Sequence, residues 1–228
     1  MAIYAIGDIH GSLTALKTIF EQGLIRETDK VVFLGDYVDK GTNSKGVIDY
    51  LIEKSKVYDF EFICGNHEIM MTAAKNSPEK IMQWIQNYGG NYTLDSYKIG
   101  DNPNWANEID KPHWEFIESC LPYLEIGKFI FVHAGLEPNK KLNEQNKHHL
   151  FHKKYENPVI YDSNKTVICG HTARKNGKIA DFGHTICIDT FAYGGMWLTC
   201  LNAETGEFLK ANNKGKIKKG RLKRLDAK

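Results

Sequence analysis

Short apolar runs alternate with longer amphipathic stretches through the first two thirds of the chain. AIYAI, KVVFLG, FEFICG, KFIFVH, KTVICGH and HTICIDT are rich in β-branched and aromatic residues and end in turn residues, as buried strands do. Between the early ones, SLTALKTIFEQG places Leu13, Leu16, Ile19 and Phe20 on one helical face, with Ser12 positioned as an N-cap. NSKGVIDYLIEKSK does the same with Val47, Ile48, Leu51 and Ile52. The pattern predicts a β-α-β-α opening. Beyond Ile160 the helical spacing stops, and MWLTCLNAETGEFLKA reads as a hairpin with Glu204, Thr205 and Gly206 in its turn. GDNPNWANEIDKP reads as a surface loop leading into a helix around Trp114 and Phe116. A mixed α/β domain with two packed sheets is expected.

Composition bounds that picture. A chain of 228 residues, 42% hydrophobic and 25% charged, suits one globular domain with a sizeable core. No apolar run reaches the roughly 18 residues a membrane span needs, and MAIYAIGDIHG has neither the basic start nor the cleavage pattern of a signal peptide. A cytoplasmic protein without membrane contact is therefore expected. The five cysteines are scattered, with no C-x-x-C pair, which excludes zinc-finger and disulfide-scaffold readings. Charge divides the chain: residues 210–228 hold nine Lys or Arg against Asp226, a local +8 that leaves −6 on residues 1–209 out of +2 overall. The expected organisation is a domain over 1–209 and a basic C-terminal tail over 210–228. That tail reads as a solvated, disordered terminus or as a handle for weak nucleic-acid contact, and its deletion is expected to leave turnover unchanged. Only Ile217, Leu222 and Leu225 give it apolar character.

The strand ends carry the chemistry. Asp8 and His10 stand in GDIHG; Asp36, Asp39 and Lys40 in GDYVDKG; Asn66, His67 and Glu68 in GNHE; His133 in HAG; His171 in GHT. Ligands of open α/β sheets bind outside the carboxyl ends of the strands, so these turns can converge on one crevice, with glycines letting backbone approach closely. Carboxylate, imidazole and amide oxygen donors suit borderline divalent cations, and one carboxylate can bridge two ions. Two ions about 3.5 to 4 Å apart stabilise the attacking and leaving oxygens of an in-line displacement at phosphorus. Phosphoester hydrolysis is the predicted reaction.

Taken in order, these turns resemble the signature of the calcineurin-like metallophosphoesterases, specifically the phosphoprotein phosphatase branch. The resemblance runs from Ile6 to Thr172, and WIQNYGGNYTLDSY and LPYLEIGKFIFVHAGL also resemble small bacterial and phage members. It implies a four-layer α/β/β/α sandwich with two mixed sheets, and two divalent ions, manganese foremost, with iron or zinc as alternatives. By the same resemblance Asp8 and His10 hold the first ion, Asp36 bridges, and Asn66, His133 and His171 hold the second. His67 protonates the leaving oxygen, Asp39 orients its ring and keeps it cationic, and Glu68 supports the site from behind. Two departures stand out: Lys40 occupies a position where the family has arginine, and Lys153 in LFHKKY stands where relatives carry a second phosphate-binding arginine. Both keep the charge and lose the bidentate fork.

The resemblance implies hydrolysis of phosphomonoesters by a hydroxide bridging the ions, with phosphoserine or phosphothreonine on protein as substrate, and phosphotyrosine as an extension. A symmetrical bis(5'-nucleosyl)-tetraphosphatase activity fits the compact size, but that family's pattern lacks the second aspartate that GDYVD keeps. A nucleic-acid-binding module with a vestigial site is opposed by the complete ligand set. The other histidines, His113, His148, His149, His152 and His184, read as surface or structural. Trp84, Tyr88 and Tyr97 read as core or cap packing, although an aromatic near the cleft could stack on a nucleobase or a phosphotyrosine.

Overall fold

The computed structural model describes residues 1–223. Strands β1 (Ile3–Ile6), β2 (Lys30–Phe33) and β3 (Asp59–Phe62) run parallel, joined by helices α1 (Leu13–Glu21) and α2 (Ser44–Lys54). This is the predicted β-α-β-α opening. Alternate residues of β1 face opposite ways: Tyr4 and Ile6 join the core beneath the helices, while Ile3 and Ala5 join the core between the sheets. Such double burial is why the run is apolar throughout rather than alternating.

Helices α3 (Asn66–Asn76), α4 (Pro78–Tyr88), α5 (Gly90–Ser96) and α6 (Lys111–Ser119) follow and enlarge the first core. The expected surface loop before α6 is anchored instead. Its Trp105 is buried and lies between Trp84 and Trp114, with ring centres at 4.9 and 5.8 Å.

The second sheet has the order β4-β5-β6-β8-β7, from β4 (Tyr123–Ile126), β5 (Phe129–Val132), β6 (Thr166–Cys169), β7 (Ala180–Asp181) and β8 (Thr185–Cys187). Phe129, Phe131, Ile168 and Ile186 meet Val32, Leu34 and Leu201 between the two sheets. The outward face of this second sheet is covered thinly, by Leu136 and by Leu150 and Phe151 of the short helix α7 (Lys147–Phe151). All five cysteines are free thiols.

The C-terminal residues differ from the expected tail. Strands β9 (Leu198–Asn202), β10 (Glu207–Ala211) and β11 (Ile217–Arg221) complete the first sheet in the order β11-β10-β9-β1-β2-β3. The β9–β10 hairpin turns where expected, but the boundary drawn after residue 209 falls inside β10, where Leu209 and Ala211 are core residues. Lys210 is buried, donates from Nζ to the Gly177 carbonyl at 2.9 Å, and is pulled down to about 8 by that burial. Every residue of β11 is exposed, so Lys218, Lys219 and Arg221 carry the basic charge on a sheet edge. Leu225 and Asp226 lie outside the described residues.

The turn between β10 and β11, an antiparallel hairpin, caps α1. Ser12 makes no side-chain cap bond; Asn213 Oδ1 accepts from the Ala15 amide at 3.4 Å, and Asn213 Nδ2 donates to Ser12 Oγ at 3.1 Å. A chain ending at Leu209 would lose this cap, a five-residue strand pairing and the burial of Ala211. Its Tm should fall by at least about 6 °C, as expected for a loss of about 3 kcal/mol. An unchanged melting curve would show the hairpin to be dispensable.

Candidate metal centre

Register places the polar turns side by side. Ile6 pairs with Phe33, and Phe33 with Phe62, so the GDIHG, GDYVDKG and GNHE turns leave one edge of the first sheet together. In the second sheet Val132 pairs with Cys169 and Cys169 with Cys187, which sets His133, the His171 turn and Asp189 in a row.

Backbone contacts then lock the turns to one another. The Asp36 carbonyl accepts from the amides of Ile9 and His10 at 3.1 and 2.8 Å. Glycine is required at two of the contacts: a Cβ on Gly41 would lie 1.8 Å from the His10 carbonyl oxygen, and one on Gly65 would lie 2.2 Å from Asp36 Oδ1. His10, Asp36, Asp39, Lys40 and His171 all take left-handed backbone conformations. Each costs on the order of 1 to 3 kcal/mol and persists only where surrounding bonds over-determine it. Glu68 supplies many of these bonds. Its carboxylate accepts from the amides of Asp36, Tyr37, Val38 and Gly65 at 2.8 to 3.3 Å, so it shapes the turn from behind. Burial and the neighbouring Asp36 charge push Glu68 up to about 8 against the pull of those donors.

The histidines are held by their outer nitrogens. His10 Nδ1 donates to the Val38 carbonyl and His133 Nδ1 to the Leu34 carbonyl, both at 2.8 Å; His171 Nε2 donates to the His152 carbonyl at 2.9 Å. Those bonds place the proton outside, so the inner nitrogen of each ring presents a bare lone pair. Burial favours the same neutral state, lowering His10 and His133 and pulling His171 down to about 3.

The lone pairs converge. Asn66 Oδ1 lies 2.9 Å from both His133 Nε2 and His171 Nδ1, and Asp36 Oδ1 lies 3.3 Å from His133 Nε2. The other Asp36 oxygen, Oδ2, lies 3.2 Å from His10 Nε2 and 3.9 Å from His67 Nε2. Acceptors at such distances with no proton between them repel unless a cation sits among them. Two trios with mutual donor distances within 4.8 Å share Asp36: His10 and His67 on one side, His133 and His171 on the other.

Asp8 joins neither trio among the described residues. Its carboxylate accepts from the His171 amide at 3.1 and 3.0 Å, and burial with the charges of Asp189 and Asp36 pushes it up. Asp189, at the end of HTICIDT, repeats the strand-end pattern of the other turns and is a third buried carboxylate here. Three carboxylates gathered out of water call for cationic partners, and the donor set suits divalent ions.

Asp39 faces the other way. Its Oδ2 accepts from His67 Nδ1 at 2.7 Å and from Trp84 Nε1 at 2.9 Å, and its Oδ1 accepts from Thr93 Oγ1 at 2.7 Å. Trp84 and Thr93 thus tie the pair to α4 and α5. They sit in ordinary helical spacing, and nothing in the sequence marks them. Lys40 does point inward, with Nζ 3.1 Å from His10 Nε2. Lys153 is exposed at the rim, its ammonium 5.5 Å from the Tyr155 ring centre.

The chain is similar to known proteins. The family described as calcineurin-like phosphoesterase matches residues 1–195. Rattus norvegicus serine/threonine-protein phosphatase with EF-hands 1 is 31% identical over 146 residues, 60% of this chain and 20% of that protein. The symmetrical bis(5'-nucleosyl)-tetraphosphatase of Pseudomonas fluorescens (strain SBW25) is 27% identical over 145 residues, 63% of this chain and 46% of that one. The chain thus spans less than half the length of these curated relatives. A cold-active protein tyrosine phosphatase shares the fold with a TM-score of 0.68 at 14% identity, covering 99% of this chain and 80% of its own. A Saccharomyces cerevisiae serine/threonine phosphatase, similar to human PP5, does so with a TM-score of 0.57 at 14% identity, covering 100% of this chain and 81% of its own.

Proposed function

Because the chain belongs to the calcineurin-like phosphoesterase family, we propose that it is a phosphomonoesterase acting at a two-ion centre, with phosphoserine or phosphothreonine on protein as the leading substrate class. The observation that carries this reading is the ring of bare acceptors around Asp36, whose two oxygens face different histidines. Asp36, Asn66, His133 and His171 would hold one ion, and Asp8, His10 and Asp36 the other; manganese is the first choice, iron or zinc the alternatives. Such ions lower the pKa of the attacking water and polarise the phosphoryl oxygens.

The chain's own groups do the rest. Asp39 Oδ2 accepts a hydrogen bond from His67 Nδ1, which orients the ring with Nε2 as the atom that delivers a proton to the leaving oxygen. Lys40 supplies positive charge for the non-bridging oxygens. Removing one such contact, worth about 1.5 to 4 kcal/mol, should lower kcat/KM for phosphomonoesters by about 10- to 10³-fold in Lys40→Ala. Lys40→Arg should keep or raise it. A silent Lys40→Ala in folded, metal-loaded protein would overturn this role and make Lys153 or Arg174 the residue to test. Arg174 Nε is buried without a partner.

A dinucleoside tetraphosphate is the second reading, favoured by the likeness to the Pseudomonas enzyme and opposed by the intact Asp39–His67 pair. Turnover by metal-reconstituted protein of phosphopeptides, diadenosine tetraphosphate and RNA ends decides between them. A preference for the dinucleotide would overturn the first reading. The exposed basic residues of β11 offer weak nucleic-acid contact, checked by a mobility shift at low salt. No helix among the described residues is long and apolar enough to cross a membrane. The free thiols fit the cytoplasm as the proposed compartment.

A further inference from the structure

We infer that Tyr193 is a positioning residue that holds the Lys40 ammonium over the cleft for phosphate, an inference that rests on the phosphoesterase reading above. Lys40 Nζ lies 4.8 Å from the centre of the Tyr193 ring. The ring is wedged in place: it meets the His10 ring edge-on at 4.8 Å and 82°, and the Phe191 ring at 4.7 Å and 65°. Phe191 is itself fixed. Its left-handed backbone, at φ 66°, is held by its amide donating to Asp189 Oδ1 at 3.0 Å and its carbonyl accepting from the Met196 amide at 3.1 Å.

The need for such a guide follows from the lysine. A guanidinium would orient itself on a phosphate through two parallel donors; an ammonium on a four-carbon stem has no preferred direction. The backbone end of Lys40 is anchored, with its amide donating to the Gly89 carbonyl at 3.3 Å, but that bond does not direct the ammonium. In the site its nitrogen meets His10 Nε2 at 3.1 Å and the Tyr193 ring. The His10 lone pair is one that we assign to an ion. The ring face competes for nothing, because a π-face attracts a cation without using a donor or a lone pair. Tyr193 therefore supplies, through packing, the orientation that arginine carries in its own geometry.

The test is titration calorimetry of metal-loaded protein with inorganic phosphate, using wild type, Tyr193→Ala, Tyr193→Phe, Lys40→Ala and the double variant Lys40→Ala/Tyr193→Ala. Tyr193→Ala should weaken phosphate about 3- to 30-fold, the range of a partly desolvated cation–π contact, while Tyr193→Phe, which keeps the ring, stays within about twofold of wild type. In the Lys40→Ala background, Tyr193→Ala should change affinity by less than about twofold. Losses that multiply in the double variant would overturn the inference, as would a Tyr193→Phe as weak as Tyr193→Ala. So would loss of an ion from Tyr193→Ala in elemental analysis, since the residue would then act on His10. Failure of wild type to bind phosphate would overturn it as well. Coupled phosphate binding without turnover of any phosphomonoester would leave Tyr193 its role and overturn only the proposed reaction.

Discussion

Asp36→Asn should bring metal content below one ion per chain and lower kcat/KM for phosphomonoesters by at least about 10³-fold, the effect of losing several kcal/mol of charge stabilisation at the phosphoryl group. The carboxylate is the one group shared by both trios, and an amide offers a single neutral acceptor in place of two charged ones. The variant should fold, because the turn is held by the Asp36 backbone: its carbonyl takes the Ile9 and His10 amides and its own amide goes to Glu68. Stripped of metal, it should melt no lower than stripped wild type, since one of three neighbouring buried carboxylates is then neutral and the upward push on Asp8 falls. Elemental analysis and a melting curve check both halves. Two ions retained by Asp36→Asn, or full wild-type activity with a single ion, would refute the bridge.

His67→Asn should separate substrates by leaving group. Serine leaves as a poor alkoxide that needs a proton, whereas p-nitrophenolate leaves without one. The loss should therefore be about 10²-fold or more on a phosphoserine peptide and far smaller on p-nitrophenyl phosphate. His67 Nε2, 3.9 Å from Asp36 Oδ2, faces the reacting centre while Nδ1 is occupied by Asp39. Equal losses on the two substrates would assign His67 to holding the site together instead. Trp84→Phe offers a graded companion: it removes the 2.9 Å bond to Asp39 Oδ2 and keeps most of the packing, so it should cost less than His67→Asn while showing the same bias between leaving groups.

How much of this was legible in the sequence depends on distance along the chain. The strands, α1 and α2, the β9–β10 hairpin and the polar turns of GDIHG, GDYVDKG, GNHE, HAG and GHT are written in residues that are neighbours or one helical turn apart. Period, apolar runs and glycine placement constrain the backbone locally, and strands of similar length then end together. Asp189 followed the same pattern in HTICIDT and was open to the same reasoning. Other features join residues far apart and have no local mark. Asn213 caps a helix that begins some 200 positions earlier, and nothing in NNKGK distinguishes that asparagine from a loop residue. Trp84 and Thr93 reach Asp39 only because α4 and α5 are folded over the GDYVD turn, and Tyr193 meets Lys40 only because the loop after β8 returns to the first sheet. The basic segment illustrates the limit: its charge suggested a solvated tail, yet Lys210 and Ala211 are buried by strands that charge does not describe. The sequence by itself determined which chemical groups stand at the strand ends, because turn conformation and side-chain chemistry are local. Only the tertiary structure decided what each group touches, because a hydrogen bond or a cation–π contact is set by the few ångströms between elements, and chain order does not record that spacing.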